Sequence, residues 1–212
     1  MRFIDQKDFY DLHTSNFVKL PSLKIDIEAF YQQIEPYKPL FRNWGENHVN
    51  VMFRKGISVV NMTGRLDDEF DPCIYPQDQY NKKFGTNYFD NHYTKPTEIL
   101  DLPCFDCLAP LKPFMIRSAI LWWKKGTFFY PHIDMNIPTP YLRIWATNVP
   151  ESYLFVYQDG TNHTNPKWDA GQFYISDTAK MHYAEAMADD AYTFFFCVTA
   201  DAYEVLKELS NV

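Results

Sequence analysis

The sequence predicts a mainly β protein, an antiparallel sandwich or barrel, and three observations carry that expectation. Seven short β-prone runs follow one another in the second half of the chain, at residues 116–123, 127–134, 141–149, 153–157, 171–176, 182–187 and 192–199. Turn-formers separate them: Lys125 with Gly126, Pro138 and Pro140, Pro150, Asp159 with Gly160, Asn165 with Pro166, and Asp189 with Asp190. No crossover helix intervenes, which sets aside a doubly wound parallel sheet. The third observation is composition. With 18 Phe, 15 Tyr and 5 Trp in 212 residues, the chain has the large apolar rings of a packed, strand-rich interior rather than of a disordered segment.

In chain order, residues 23–34, LKIDIEAFYQQI, put Leu23, Ile27, Phe30, Tyr31 and Ile34 on one helical face, and Pro36 stops the pattern. An amphipathic helix packed on a sheet is expected there. The runs VNVMFR (49–54) and ISVVNM (57–62) flank Lys55 and Gly56 and read as a hairpin. Residues 63–95 are acidic, rich in Asp, Asn, Pro and Tyr, and without a sustained period. A loop of that length inside one domain is usually a functional cover or disordered, and as a cover its Tyr75, Tyr80, Tyr88 and Tyr93 could pack over an entering chain. A short helix is expected near residues 97–100. The tail DAYEVLKEL opens with Asp201 and has Glu204 three residues later, the pattern of a capped terminal helix. One domain over 1–212 is expected: a helix, hairpin and long loop to 114, core strands over 115–199, and a helix over 200–212.

Several functions are excluded or disfavoured at this level. A formal net charge of -7 with no Lys/Arg cluster disfavours a nucleic-acid surface. No apolar run is long enough to span a bilayer, and the N-terminal MRFIDQKDFYDLHTS lacks the apolar centre of a signal peptide. A cytoplasmic protein with no membrane partner is expected. The four cysteines, Cys73, Cys104, Cys107 and Cys197, do not form a disulfide framework. The Cys104–Cys107 spacing has no second pair to complete a zinc site, so ordinary thiols are expected.

The chemistry concentrates in RSAILWWKKGTFFYPHID, residues 117–134. A strand, a KKG turn and a second strand end in His132, Ile133 and Asp134. Side chains two apart on a strand share a face, about 6 to 7 Å apart, so an imidazole and a carboxylate stand side by side. Such a pair is equally a simple hydrogen-bonded couple. A further histidine, His182, opens the strand-like run HYAEAM. Facing the pair across a barrel mouth, it would complete two histidines and a carboxylate on one side of a metal, with coordination positions left open.

The segments KKGTFFYPHID, YLRIWATNVP, WDAGQFYISDTAKMH and YTFFFCV together resemble the Fe(II)- and 2-oxoglutarate-dependent oxygenases, most of all the aspartyl/asparaginyl β-hydroxylases and the small prolyl and amino-acid hydroxylases. The resemblance covers residues 115–198. It implies a double-stranded β-helix, a cupin-like jelly roll, with His132, Asp134 and His182 as iron ligands and with 2-oxoglutarate and dioxygen as co-substrates. It places Arg143 where those enzymes hold a co-substrate carboxylate. Arginine fits a carboxylate through two parallel hydrogen bonds, although pairing with one of the chain's own acids would use the same geometry. Many of those enzymes carry a basic residue about ten positions after the distal histidine. Here Tyr192 stands there, able to give one hydrogen bond but no charge, and Tyr192 and Tyr130 are the remaining candidates for co-substrate contact. The retained Asp134 disfavours a halogenase.

The implied activity is hydroxylation of an amino-acid side chain, free or in a peptide or protein. A cupin-like metal-dependent isomerase or hydrolase, and a non-catalytic jelly-roll binding protein, are the alternatives. Trp122, Trp123, Phe128, Tyr130 and Trp145 are either cavity walls or plain core. Asp177 either steadies His182 or stabilises its own turn. His163 reads as a loop residue, and His13, His48 and His92 have no partner at metal spacing.

Overall fold

The computed structural model describes residues 17–44, 54–68, 70–134 and 141–210. Two antiparallel sheets make a jelly roll, as the strand pattern predicts. The strands are β1 (Phe17–Lys24), β2 (Arg42–Asn43), β3 (Arg54–Asn61), β4 (Lys95–Pro96), β5 (Met115–Trp123), β6 (Thr127–His132), β7 (Tyr141–Thr147), β8 (Tyr153–Asp159), β9 (Asn162–Thr164), β10 (Gln172–Ser176), β11 (His182–Ala186) and β12 (Ala191–Thr199). The larger sheet runs β1-β10-β7-β12-β5-β3-β2, with β4 on β3, and the smaller runs β6-β11-β8-β9. The helices are α1 (Ile27–Ile34), α2 (Gln77–Phe84) and α3 (Tyr203–Leu209).

Alternation along β12 shows how the core divides. Tyr192, Phe194, Phe196 and Val198 face a cluster shared with Phe30 and Ile34 of α1, with Phe105 and Leu108, and with Leu206 of α3, so α1 and α3 cover the outer face of the large sheet. Phe195 and Cys197 face the other way, into an aromatic layer between the sheets with Trp123, Tyr141, Trp145, Tyr153 and Phe155. A cavity lined by several of these rings opens from this second layer.

Four local expectations are corrected. The helix expected from Leu23 begins at Ile27, capped by Asp26, whose carboxylate accepts from the Ala29 amide. Leu23 belongs to β1, an edge strand whose Pro21 is tolerated because no strand among the described residues pairs on its outer side. The 55–56 turn is absent: Lys55 and Gly56 lie inside β3, and Gly56 faces Leu121 of β5. A Cβ on Gly56 would meet Ile74 Cδ1 at 3.0 Å, so the glycine serves close packing, not chain reversal. The other arm of that hairpin, 49–53, lies outside the described residues. The 63–95 excursion is not bare loop. It contains α2, ending at Gly85 with φ 63°, and it buries Tyr75 and Tyr93 instead of leaving them over an entrance. Asp201 caps nothing; it sits in a short 3-10 turn, and α3 starts at Tyr203.

Candidate metal centre

His132 closes β6 and His182 opens β11, and antiparallel pairing sets the two Cα atoms opposite each other. Asp134 lies just beyond the end of β6, where its amide donates to the Thr178 carbonyl at 3.0 Å. That bond brings its carboxylate between the two imidazoles. Asp134 Oδ1 lies 3.2 Å from His132 Nε2, and Oδ2 lies 3.5 Å from His182 Nε2. One donor atom from each residue falls within 4.8 Å of the others.

The ring orientation of both histidines is set in the same way. His132 Nδ1 lies 2.8 Å from the Tyr130 carbonyl and His182 Nδ1 lies 2.8 Å from the Lys180 carbonyl, each two residues back. A carbonyl there requires Nδ1 to carry the proton, which leaves the Nε2 lone pair of each ring for a metal. Phe129 packs on the His132 ring at 4.1 Å between centroids, and Phe155 stacks on His182 at 5.1 Å. Burial, the chief cause, pulls His132 down to about 3 and His182 down to about 4. His182 and nearby arginines depress His132 further. Both rings are therefore neutral near pH 7, the form that ligates metal. Two neutral nitrogens and one carboxylate on one side of a cavity fit a divalent ion of the first transition row with open positions facing inward.

Arg143 projects from β7 to this cluster. Its Nη1 donates to Asp134 Oδ2, and its Nη2 donates to the Tyr141 hydroxyl at 3.1 Å. The guanidinium expected to meet a co-substrate is thus set against the Asp134 carboxylate, the pairing with a resident acid that the sequence left open. Tyr192 is not brought to the site. It points to the outer face of the large sheet, 1% exposed, stacked on Trp122 at 6.1 Å and edge-on to Phe30 at 5.2 Å. The expectation that it contacts co-substrate is corrected by strand parity: neighbouring Thr193 faces the interior, where its hydroxyl accepts from Trp123 Nε1 at 2.8 Å.

A cavity of about 770 Å³ opens over the cluster. Trp123, Trp145, Phe129, Phe155 and Phe195 form its walls, Tyr130 and Ile133 stand at its exposed mouth, and Gln77, Asp78 and Gln79 of α2 border it. Trp122 belongs to the other face, and Phe128 is exposed beside Tyr183. Asp177 accepts from the Ala179 amide at 3.1 Å, so it stabilises its turn. His163 and His92 are exposed, His92 holding the Phe89 amide, while His13 and His48 lie outside the described residues. His132, Asp134 and His182 form the one cluster of metal-ligating groups among the described residues, and all four cysteines are free.

Sequence reasoning missed Arg54 and Arg117, both buried and both on the cavity lining. Arg117 donates to Asp90 at 3.2 Å and to the carbonyls of Cys73 and Tyr75. The available signal was a cation at the start or centre of an apolar strand run, where charge is costly to bury.

No protein-family model matches the chain, and no curated protein matches it. Solved structures do. A prolyl hydroxylase from Trichoplax adhaerens, in complex with a hypoxia-inducible-factor oxygen-degradation-domain peptide, is 12% identical with a TM-score of 0.52, over 92% of this chain and 89% of that one. HygX from Streptomyces hygroscopicus, with nickel, 2-oxoglutarate and hygromycin B bound, is 11% identical with a TM-score of 0.51, over 93% and 88%. At these identities the likeness is one of fold.

Proposed function

We propose that this protein is an Fe(II)- and 2-oxoglutarate-dependent oxygenase that hydroxylates an amino-acid side chain, free or within a peptide. The observation that carries the reading is the convergence of His132 Nε2, His182 Nε2 and the Asp134 carboxylate at the floor of a cavity, with both imidazoles held neutral. The fold shared with a prolyl hydroxylase and with an oxoglutarate-bound enzyme supports it.

His132, Asp134 and His182 would hold the iron. Bound iron with oxoglutarate supplies the oxidising power to convert an unactivated C–H bond to C–OH, with dioxygen consumed and oxoglutarate decarboxylated to succinate. The chain's own residues do the rest. Arg143 balances the Asp134 charge and fixes its orientation. Trp123, Trp145, Phe129 and Phe155 exclude water from the reacting centre. Tyr130, Ile133 and the first turn of α2 meet the substrate at the mouth, where exposed apolar groups beside Gln77, Asp78 and Gln79 suit a side chain flanked by peptide amides. Among the described residues no helix is long and apolar enough to cross a membrane. Four free thiols accord with a reducing cytoplasm.

The test is to incubate anaerobically purified protein with Fe(II) and 2-oxoglutarate, admit air, and follow succinate with and without a panel of amino acids and peptides. Substrate-stimulated succinate formation is expected. Absence of both oxoglutarate binding and succinate formation would overturn the reading.

A further inference from the structure

Three arginines line the cavity, and their charges are not treated alike. Arg143 is set against Asp134, and Arg117 against Asp90. Arg54, at the start of β3, is 5% exposed and has no acidic partner among the described residues. Its guanidinium carbon lies 4.6 Å from the centroid of the Trp44 ring, 4.8 Å from that of Trp123 and 4.3 Å from that of Phe129. Ring faces offset part of the cost of burying a cation, but they accept no N–H bonds in the guanidinium plane. Nε and Nη2 of Arg54 are both buried without a hydrogen-bond partner. Burial pulls its pKa down to about 9, the mark of a charge short of compensation.

The other orphaned groups point the same way. Among the described residues, the buried unpartnered side-chain atoms on this cavity are Arg54 Nε and Nη2, Gln77 Nε2, Arg117 Nε, Arg143 Nε and Trp145 Nε1. Every one is an N–H donor. Leaving buried donors unpaired is expensive, so the cavity is built for an occupant rich in acceptors and negatively charged. Asp78, the remaining acid on the lining, is exposed.

We infer that Arg54 is the residue that anchors the distal carboxylate of 2-oxoglutarate, in place of a basic residue on the strand that follows His182. The inference rests on the oxygenase reading above. Tyr192 stands where such a residue would be sought, and it faces away. Arg143 would have to give up a metal ligand to take the role; Arg54 gives up nothing. Reach is suitable. The Phe129 ring contacts both groups, 4.1 Å from the His132 ring and 4.3 Å from the Arg54 guanidinium, so the His132 ring and the guanidinium lie no more than about 8.4 Å apart. A five-carbon diacid extended over four carbon–carbon bonds spans roughly 5 Å between its end carbons, leaving room for a bonded contact at each end.

The test is calorimetric and needs no turnover. Fe(II)-loaded protein under strict anaerobiosis is titrated with 2-oxoglutarate and with 2-oxopentanoate, which has the same chain and keto acid but no distal carboxylate. Wild type should prefer 2-oxoglutarate by about 100-fold, the usual scale for a buried carboxylate–guanidinium contact. In Arg54→Met that preference should collapse to a few-fold, with 2-oxopentanoate and Fe(II) binding unchanged. Arg54→Lys, which keeps the charge but loses the fork, should retain an intermediate preference. Unchanged Fe(II) binding certifies that the variants are folded. If Arg54→Met keeps the wild-type preference, or if the preference disappears in Arg143→Met instead, the Arg54 assignment is overturned while the oxygenase reading stands. If wild type binds Fe(II) but neither keto acid, the oxygenase reading itself falls and the assignment with it.

Discussion

Asp134→Ala separates the metal-ligand role proposed for this carboxylate from its ion pair. The residue is the acid against which Arg143 is set, with Arg143 only 7% exposed. Removing it leaves a buried guanidinium whose described contacts are all neutral, among them the Tyr141 hydroxyl and the Phe195 ring. Breaking a buried ion pair from one side typically costs about 3 to 5 kcal/mol, and the 16% exposure of the Asp134 side chain puts the expectation at the lower end, about 3 kcal/mol. For a domain of this size that corresponds to a fall in Tm of roughly 6 to 12 °C. The assay is thermal unfolding of the chelator-treated protein by circular dichroism, paired with Mn(II) titration by calorimetry. Asp134→Ala should unfold earlier and bind Mn(II) at least ~100-fold more weakly. The double variant Asp134→Ala/Arg143→Met should recover most of the lost stability, because the stranded charge is gone, yet it should not recover metal binding. A metal-free Asp134→Ala protein with wild-type Tm would refute the ion-pair argument. Wild-type Mn(II) affinity would refute the ligand assignment.

The remaining expectations follow from separate features. His132→Ala should weaken Mn(II) binding comparably, and it should cost less stability in the metal-free protein than Asp134→Ala because it strands no charge; an equal or larger fall in Tm would contradict this. Metal-free protein should lose stability as pH falls from 7 to 4. Unfolded histidines take up protons below about 6.5, whereas folded His182 resists until about 4 and His132 until about 3, so the unfolded state binds more protons across that window. For His182 alone the expected loss is roughly 3 kcal/mol, and a urea-unfolding free energy that stays flat from pH 7 to pH 5 would contradict it. Gly171→Ala should destabilise by about 3 kcal/mol or more in the same assay. Its φ is +71°, and a Cβ would lie 2.4 Å from the Ile25 carbonyl. Near-wild-type stability would show that the junction between β1, α1 and β10 can shift.

The candidate metal cluster was partly legible from residue types and spacing. A histidine and an aspartate two apart at a strand end stay close to one another, and antiparallel pairing brings His182 opposite His132, but the bond from the Asp134 amide to Thr178, beyond the strand, is what sets the carboxylate between them. The β-rich second half was legible for a related reason: alternation and turn chemistry are local. The N-terminal elements were less so. Helical periodicity over 23–34 could not show that Leu23 pairs in an edge strand, and a glycine after a lysine looks the same to a local rule whether it turns the chain or lets Ile74 approach a sheet.

Sequence alone, then, put His132 and Asp134 side by side and offered His182 as a third group, with iron as what the family resemblance implied. Tertiary structure decided the charge environment around them. Whether Arg143 meets a ligand or a resident acid, whether Tyr192 faces the cavity or α1, and whether Arg54 has a partner all depend on strand parity in the assembled sheet and on contacts between residues far apart in the chain. Electrostatics in a low-dielectric interior is set by those long-range neighbours, and no local pattern encodes them.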